Sequence, residues 1–365
     1  MALNIATIAG DGIGPEVVSH ALRVLESAAK LDGLTYHVTP LPYGGEHYLK
    51  TGEVLTDAQV ADMRRFDAIF LGAVGTPKVK PGVLEKGLLL KLRFELDLYI
   101  NLRPVKLLDG VEGPLKNKGP AEINFDVIRE NTEDLYTGAG GIARKGTAQE
   151  VATQEMLATR FGVERALRFA FNLCRAKKQQ EHPGARGQLT LVHKTNVLTF
   201  CGDTWFRAFN EVGDAEYPDI QRQYHHVDAC CMYMVAKPEI YDTIVVPNMF
   251  GDIITDLGAA IAGGMGVAAS GNLNPDGTAP SMFEPVHGSA PDIAGQNKAN
   301  PIAAIISLAM LLRETGRIRG ERAAVACAER LERAVRLTVP KFKGMVFDRL
   351  PMGTDAVANL VIAGL

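Results

Sequence analysis

Two aspartates stand four residues apart in Asn248-Met249-Phe250-Gly251-Asp252-Ile253-Ile254-Thr255-Asp256. If Asp252 opens a helix, it shares one helical face with Asp256, and two carboxylates there repel unless a cation lies between them. Hard divalent ions such as Mg²⁺ or Mn²⁺ take oxygen ligands of this kind, completed by water and substrate oxygens. The plainer reading is an N-cap aspartate with a solvated neighbour. Asp228 is a third candidate ligand, preceded by Tyr224-His225-His226-Val227. No further ligands stand at zinc spacing from those two histidines.

Three arginines form a second constellation. Arg93 and Arg103 flank the mostly apolar Leu98-Tyr99-Ile100-Asn101-Leu102, and Arg129 ends a strand-like run. The planar guanidinium pairs bidentately with carboxylates, so three of them converging would suit a dicarboxylate; taken singly, each also reads as a surface ion-pair residue. A third is the small-residue loop from Glu284 to Gly295, where backbone could approach a ligand and Asp292 could accept hydrogen bonds from ribose hydroxyls. Gly10-Asp11-Gly12-Ile13-Gly14-Pro15 invites a dinucleotide-loop reading, but it lacks the third glycine of GxGxxG. A tight strand-to-helix turn explains it as well.

These residues need elements to hold them. Strand-like runs occur at 4–9, 34–38, 66–71, 122–128, 189–192 and 243–246, and helical patterns at 15–30, 151–178, 252–262, 301–313 and 321–337. Such alternation implies an α/β protein. Gly and Pro mark loops at 72–82, 110–120, 182–187 and 271–301.

The chain has 365 residues, 47% hydrophobic and 22% charged, which suits two globular domains at about 150 residues each. With 39 Lys and Arg against 42 acids, the net charge of −3 gives no global attraction for nucleic acid or an anionic membrane. Five cysteines without CxxC spacing argue against a disulfide framework and for reduced thiols in the cytoplasm. The longest apolar stretch, Ile302 to Leu312, is interrupted by Ser307 and is far short of the roughly 20 residues that span a bilayer. Residues 1–9 lack the basic start of a signal peptide.

In order along the chain, GDGIGPE at 10–16, LRFELDLYINLRP at 92–104, VIREN at 127–131, HKTNV at 193–197, NMFGDIITD at 248–256 and EPVHGSAPDIAGQ at 284–296 resemble the β-decarboxylating dehydrogenases. This is the family of isopropylmalate, isocitrate, homoisocitrate and tartrate or malate dehydrogenases. The resemblance implies a two-domain α/β fold that is not a Rossmann domain, with the active-site cleft between domains. Domain 1 would comprise 1–102 and 263–365, and domain 2 would comprise 103–262. A homodimer with shared active sites is implied too.

Carried over residue by residue, Arg93, Arg103 and Arg129 would clamp the substrate carboxylates. Asp252 and Asp256, with Asp228 from the other subunit, would hold Mg²⁺ or Mn²⁺ against the substrate. Lys194 of the partner would take the C2 hydroxyl proton, a role that desolvation and the metal favour by lowering its pKa. Tyr136 would protonate the enol carbon after CO₂ leaves. Asn196 and Glu284 match positions near the nicotinamide, and His287, Gly288, Ser289, Ala290, Pro291, Asp292, Ile293 and Asn300 match the rest of the dinucleotide site. Asp292 followed by Ile293 suits a free ribose 2′-hydroxyl and repels a 2′-phosphate, so NAD is the expected cofactor.

Family members that act on isocitrate offer Ser and Asn just before the first arginine, whereas this chain offers Glu85-Lys86-Gly87-Leu88-Leu89-Leu90-Lys91-Leu92. That aliphatic run, through Leu88, Leu89 or Leu90, implies a substrate carrying an isopropyl group, as in leucine biosynthesis. D-malate, tartrate or homoisocitrate are the alternative substrates. A non-catalytic dicarboxylate-binding regulatory paralogue is the alternative of another class.

Overall fold

The computed structural model describes residues 2–180, 185–342 and 352–365. Its strands are β1 Leu3–Gly10, β2 Tyr36–Pro40, β3 Ala68–Ala73, β4 Ile100–Lys106, β5 Asn124–Glu130, β6 Gly140–Ala143, β7 Val151–Gln154, β8 Gln188–His193, β9 Gln221–His226, β10 Thr243–Val246, β11 Ala269–Leu273 and β12 Ser281–Pro285. Its helices are α1 Gly14–Asp32, α2 Gly45–Thr51, α3 Asp57–Met63, α4 Lys91–Glu95, α5 Arg160–Gln179, α6 Thr199–Glu216, α7 Val227–Ala236, α8 Asn248–Ile261, α9 Ile302–Arg319, α10 Arg322–Thr338 and α11 Thr354–Ala363.

Two compact units result. The first comprises Met1–Leu98, Arg103–Ile123 and Ala259–Leu365, and the second Tyr99–Leu102 and Asn124–Gly258. Residues 103–123, expected with the inner segment, group with the outer one, where Gly110 packs on Pro340 and Gly263 on Val111.

In the first unit β1 pairs in parallel with β2 and β3, β3 with β12, and β12 antiparallel with β11. Parallel strands buried on both faces read as continuous apolar runs, as Ala68-Ile69-Phe70-Leu71 in β3 does. Helix α1 begins with Pro15 in its first turn, ends at the left-handed Gly33, and buries Val17, Val18, Ala21, Val24, Leu25 and Ala28 at helical spacing. The glycine loop before it is a structural turn. Its Asp11 carboxylate accepts from Gly45 N (2.7 Å) and Gly75 N (2.9 Å), and Ile13 N donates to Ser289 O.

The second unit carries the parallel set β5-β10-β8-β9. The helix expected over 151–178 starts later. Residues 151–154 form β7, paired antiparallel with β6, and α5 begins where Thr159 Oγ1 accepts from Gly162 N. Likewise 271–301 is no continuous loop, because the end of β11 and all of β12 occupy part of it. Part of the loop expected at 182–187 lies outside the described residues. Among the described residues no helix is long and apolar enough to cross a membrane.

Candidate active site

The second unit builds its site at the C-terminal end of β10. Helix α8 starts at Asn248, four residues before the expected opening at Asp252, so Asp252 and Asp256 lie within it rather than at its cap. They keep the i,i+4 relation. Arg129, 1% exposed and at the end of β5, donates through Nε to Asn248 Oδ1 (2.8 Å) and through Nη1 to Asp252 Oδ1 (2.5 Å). Its Nη2 is buried without a hydrogen-bond partner. Leaving a guanidinium N–H unmade in the interior is costly, and an arriving carboxylate would satisfy it. The Tyr136 ring lies 5.1 Å from the guanidinium carbon.

Gly251 and Asp134 hold this arrangement, neither of them a candidate ligand or catalytic group by sequence. A Cβ at Gly251 would come within 2.5 Å of Arg129 Cγ, so glycine is what lets the arginine stem lie on α8. Asp134, buried and left-handed at φ +70°, accepts from Met249 N (2.8 Å) with one carboxylate oxygen and from Leu135 N with the other. Burial pushes its carboxyl above the ordinary range despite these bonds. Asn248 Nδ2 donates to Glu133 O (3.2 Å), which fixes the amide's orientation toward Arg129. Nothing local in the sequence signals Asp134, which lies more than a hundred residues from α8.

Beneath this turn Glu130 is 1% exposed, and burial raises its carboxyl to about 7, although it accepts from Thr132 N, Thr132 Oγ1 and Glu133 N.

Lys194 and Asp228 meet each other. Nζ lies 2.8 Å from Oδ1, and that hydrogen bond holds the Asp228 carboxyl below its usual range. Lys194 N donates to Nδ1 of the fully buried His193, whose imidazole burial lowers to about 4. Asn196 is exposed on the following turn. Among the described residues no three His, Cys, Asp or Glu gather into a metal-binding group. The donor set in hand is Asp252 and Asp256, hard oxygen ligands that fit Mg²⁺ or Mn²⁺.

In the first unit Arg93, 5% exposed, lies 3.4 Å from Glu284 Oε1, which also accepts from Asn272 Nδ2 at 2.9 Å. Arg103 is buried on β4. The leucine run forms a π-helical turn, Glu85–Leu90, a feature frequent at functional sites. It separates the three leucines. Leu88 is fully buried in a core with Ile8, Leu71, Leu92 and Met282, which corrects its expected role as a substrate contact; Leu89 and Leu90 are partly exposed.

After β12, His287 lies near Gly288 O (3.0 Å), Ser289 O accepts from Ile13 N, and Ile293 N closes a turn on Ala290 O. Ala290 takes the left-handed region at φ +36°. Gly288, Pro291 and Asp292 are exposed and Ile293 is half-buried. Asn300 Oδ1 accepts from Ile302 N at the start of α9, and its Nδ2 is buried with no hydrogen-bond partner.

Residues 4–348 match the isocitrate/isopropylmalate dehydrogenase family. The chain belongs to that family. It is therefore an oxidoreductase with the family's mixed α/β fold. A 3-isopropylmalate dehydrogenase of Thermobifida fusca is 54% identical over 314 residues, 86% of each chain. One from Clavibacter michiganensis is 50% identical over 367 residues, covering 100% of this chain and 98% of that one. Among solved structures, isocitrate dehydrogenase from Methylococcus capsulatus superposes with a TM-score of 0.84 at 34% identity, covering 99% of both chains.

Proposed function

We propose that this chain oxidises 3-isopropylmalate with NAD and decarboxylates the product to 4-methyl-2-oxopentanoate and CO₂, the reaction required in leucine biosynthesis. The observation that carries this reading is the buried Arg129 guanidinium. It spends Nε on Asn248 and Nη1 on Asp252, and keeps Nη2 for a carboxylate beside two acidic side chains.

In this reading Arg93, Arg103 and Arg129 bind the substrate carboxylates, and their forked donors set which carbon faces the hydride acceptor. Asp252 and Asp256, with Asp228 of the partner subunit, hold Mg²⁺ or Mn²⁺. Bound there, the divalent ion supplies Lewis-acid stabilisation of the enolate charge that decarboxylation creates. Lys194 of the partner subunit accepts the C2 hydroxyl proton, and the nicotinamide, which Asn196 and Glu284 would hold, would supply the hydride acceptor. Tyr136 returns a proton to C3 once the C3 carboxylate has left as CO₂, so protons and electrons balance. Leu89 and Leu90 face the isopropyl group.

Asn196, Glu284 and the 287–300 loop bind the dinucleotide, with Asp292 accepting from the ribose hydroxyls and excluding a 2′-phosphate. The outer segments form a dinucleotide-side domain and the central segment a dimerising domain. Support for a homodimer comes from apolar side chains left in water on consecutive helices of the second unit: Phe200 is 90% exposed on α6, Met232 69% on α7 and Ile253, between the two aspartates, 50% on α8. Five free cysteines suit a cytoplasmic protein.

The direct test is NADH formation with 3-isopropylmalate, D-malate, tartrate, homoisocitrate and isocitrate, each with and without chelator, and with NADP in place of NAD. The reading predicts 3-isopropylmalate with NAD as the best pair and loss of turnover in chelator. Isocitrate or NADP as the better partner would contradict it.

A further inference from the structure

Helix α11 begins at Thr354 after Gly353, a residue with no side chain to cap the helix. Its first N–H groups are satisfied from 57 or more residues away in sequence. Thr354 N donates to Asn297 O (3.2 Å), and Asp355 N donates to Asn297 Oδ1 (3.0 Å). The Asn297 amide returns a bond, Nδ2 donating to Asp355 Oδ1 at 2.7 Å. A Cβ at Gly353 would stand 2.5 Å from Asn297 Nδ2 and 2.7 Å from Asp355 Oδ1, so the pair closes only over glycine.

Asn297 itself is left-handed, at φ +55°. That conformation costs a non-glycine residue energy and persists where its surroundings enforce it. The clamp continues on both sides. The buried Thr354 hydroxyl reaches Ala299 O (2.7 Å) and Glu16 Oε1, and Ala299 N faces the same Glu16 oxygen. On the other flank Gln296 Nε2 donates to Asp292 O (2.6 Å). The segment from Asp292 to Asn300 is thus shaped by α11 and by Glu16 of α1, through atoms that face one another within the first unit.

We propose that Asn297 and Asp355 are positioning residues for the dinucleotide: the reciprocal Asn297–Asp355 clamp sets the loop that presents Asp292 and Asn300, so cofactor affinity is governed from the C-terminal helix. This rests on the assignment of the 287–300 loop to the dinucleotide under the proposed function. Asp355 is exposed and touches no reacting group, so its loss acts through the loop.

The test measures NAD binding to the intact protein by calorimetry alongside steady-state kinetics. Asp355→Ala removes the acceptor for Asn297 Nδ2 and should raise the Kd and the KM for NAD about three- to tenfold, as loss of one hydrogen bond does, with kcat and the KM for the hydroxy acid unchanged within about twofold. Asp355→Asn keeps an Oδ1 acceptor and should restore wild-type affinity. Asn297→Asp sets two carboxylates against each other and should weaken NAD at least as much as Asp355→Ala. Combining Asn297→Asp with Asp355→Asn reverses donor and acceptor and should recover most of the loss.

Thermal unfolding of each variant separates a merely structural effect, because the role swap depends on the pairing and not on global stability. If Asp355→Ala binds NAD like the wild type while Asp292→Ala binds it weakly, the loop holds the cofactor but the clamp does not position it, and the proposal falls. If Asp292→Ala also leaves NAD affinity unchanged, the dinucleotide assignment fails first and takes the proposal with it.

Discussion

The two units treat their apolar surface differently. The larger exposed aliphatics of the first unit sit singly on separate helices, Leu31 on α1, Leu49 on α2, Ile318 on α9 and Leu337 on α10, none above 59% exposed. Scattered residues of this kind are normal on any soluble surface. The second unit exposes Phe200 at 90%, Phe161 at 72%, Met232 at 69% and Val197 at 64%. Yet the α5 and α6 faces of the same unit carry ion pairs, Arg168 with Glu216 at 2.8 Å and Arg160 with Glu211 at 2.6 Å. The exposed apolar residues of the second unit stand close in sequence to the proposed site, Val197 three residues after Lys194, Met232 four after Asp228 and Ile253 beside Asp252.

The largest effect should come from that surface. Phe200→Glu with Met232→Glu brings two charges from each chain into any symmetric interface formed there, and it should convert a dimer to a monomer by analytical ultracentrifugation, with activity falling in parallel. Leu31→Glu with Ile318→Glu, the matching change on the first unit, should alter neither mass nor turnover. A dimer unmoved by the first pair would erase the contrast between the units.

A smaller effect concerns the interior of the second unit. Burial raises Glu130 from about 4.5 when unfolded to about 7 when folded, so the native state binds the extra proton between those values. The contribution is fully present below about pH 4.5 and is lost as pH rises through about 7, an amount on the order of 3 kcal/mol for a shift of this size. Glu130→Gln, which stays neutral, should flatten that part of the stability–pH curve in denaturant titrations. An unchanged slope would show that the carboxyl is ionised in the native protein.

Smallest is substrate selection in the first unit. Leu89→Ala or Leu90→Ala should lower kcat/KM for 3-isopropylmalate by about 10–200-fold, roughly 1–3 kcal/mol, and D-malate turnover much less. Leu88→Ala should instead destabilise the fold by about 2–5 kcal/mol, because it empties part of the core. If none of the three shifts the ratio of the two substrates, the leucine run only packs the helix.

Much of this was legible because it is local. The apolar runs of β1, β3 and β10 and the stripe of α1 announce an α/β fold, and Asp252 with Asp256 keeps its i,i+4 meaning wherever α8 starts. What escaped depends on partners distant in sequence. The strand Val151–Gln154 is exposed at every residue and shows no alternation, so its apolar content joined the helical pattern of α5. Three consecutive leucines carry no phase, and only the π-helical turn decides that Leu88 points inward. Asp134 and Asn297 act through contacts 115 and 58 residues away, which no local spacing records.

Each site, as proposed, draws on two copies of the second unit. Lys194→Ala and Asp252→Ala chains should each be inactive alone, the first lacking the base given to the partner and the second a metal ligand kept at home. Mixed under dissociating conditions and reassembled, half of the dimers pair one chain of each kind, and each of these holds one site with both residues intact. The account predicts recovery of about a quarter of wild-type activity, the share that two-fold symmetric pairing at random allows. Heterodimers confirmed by mass yet inactive would contradict it.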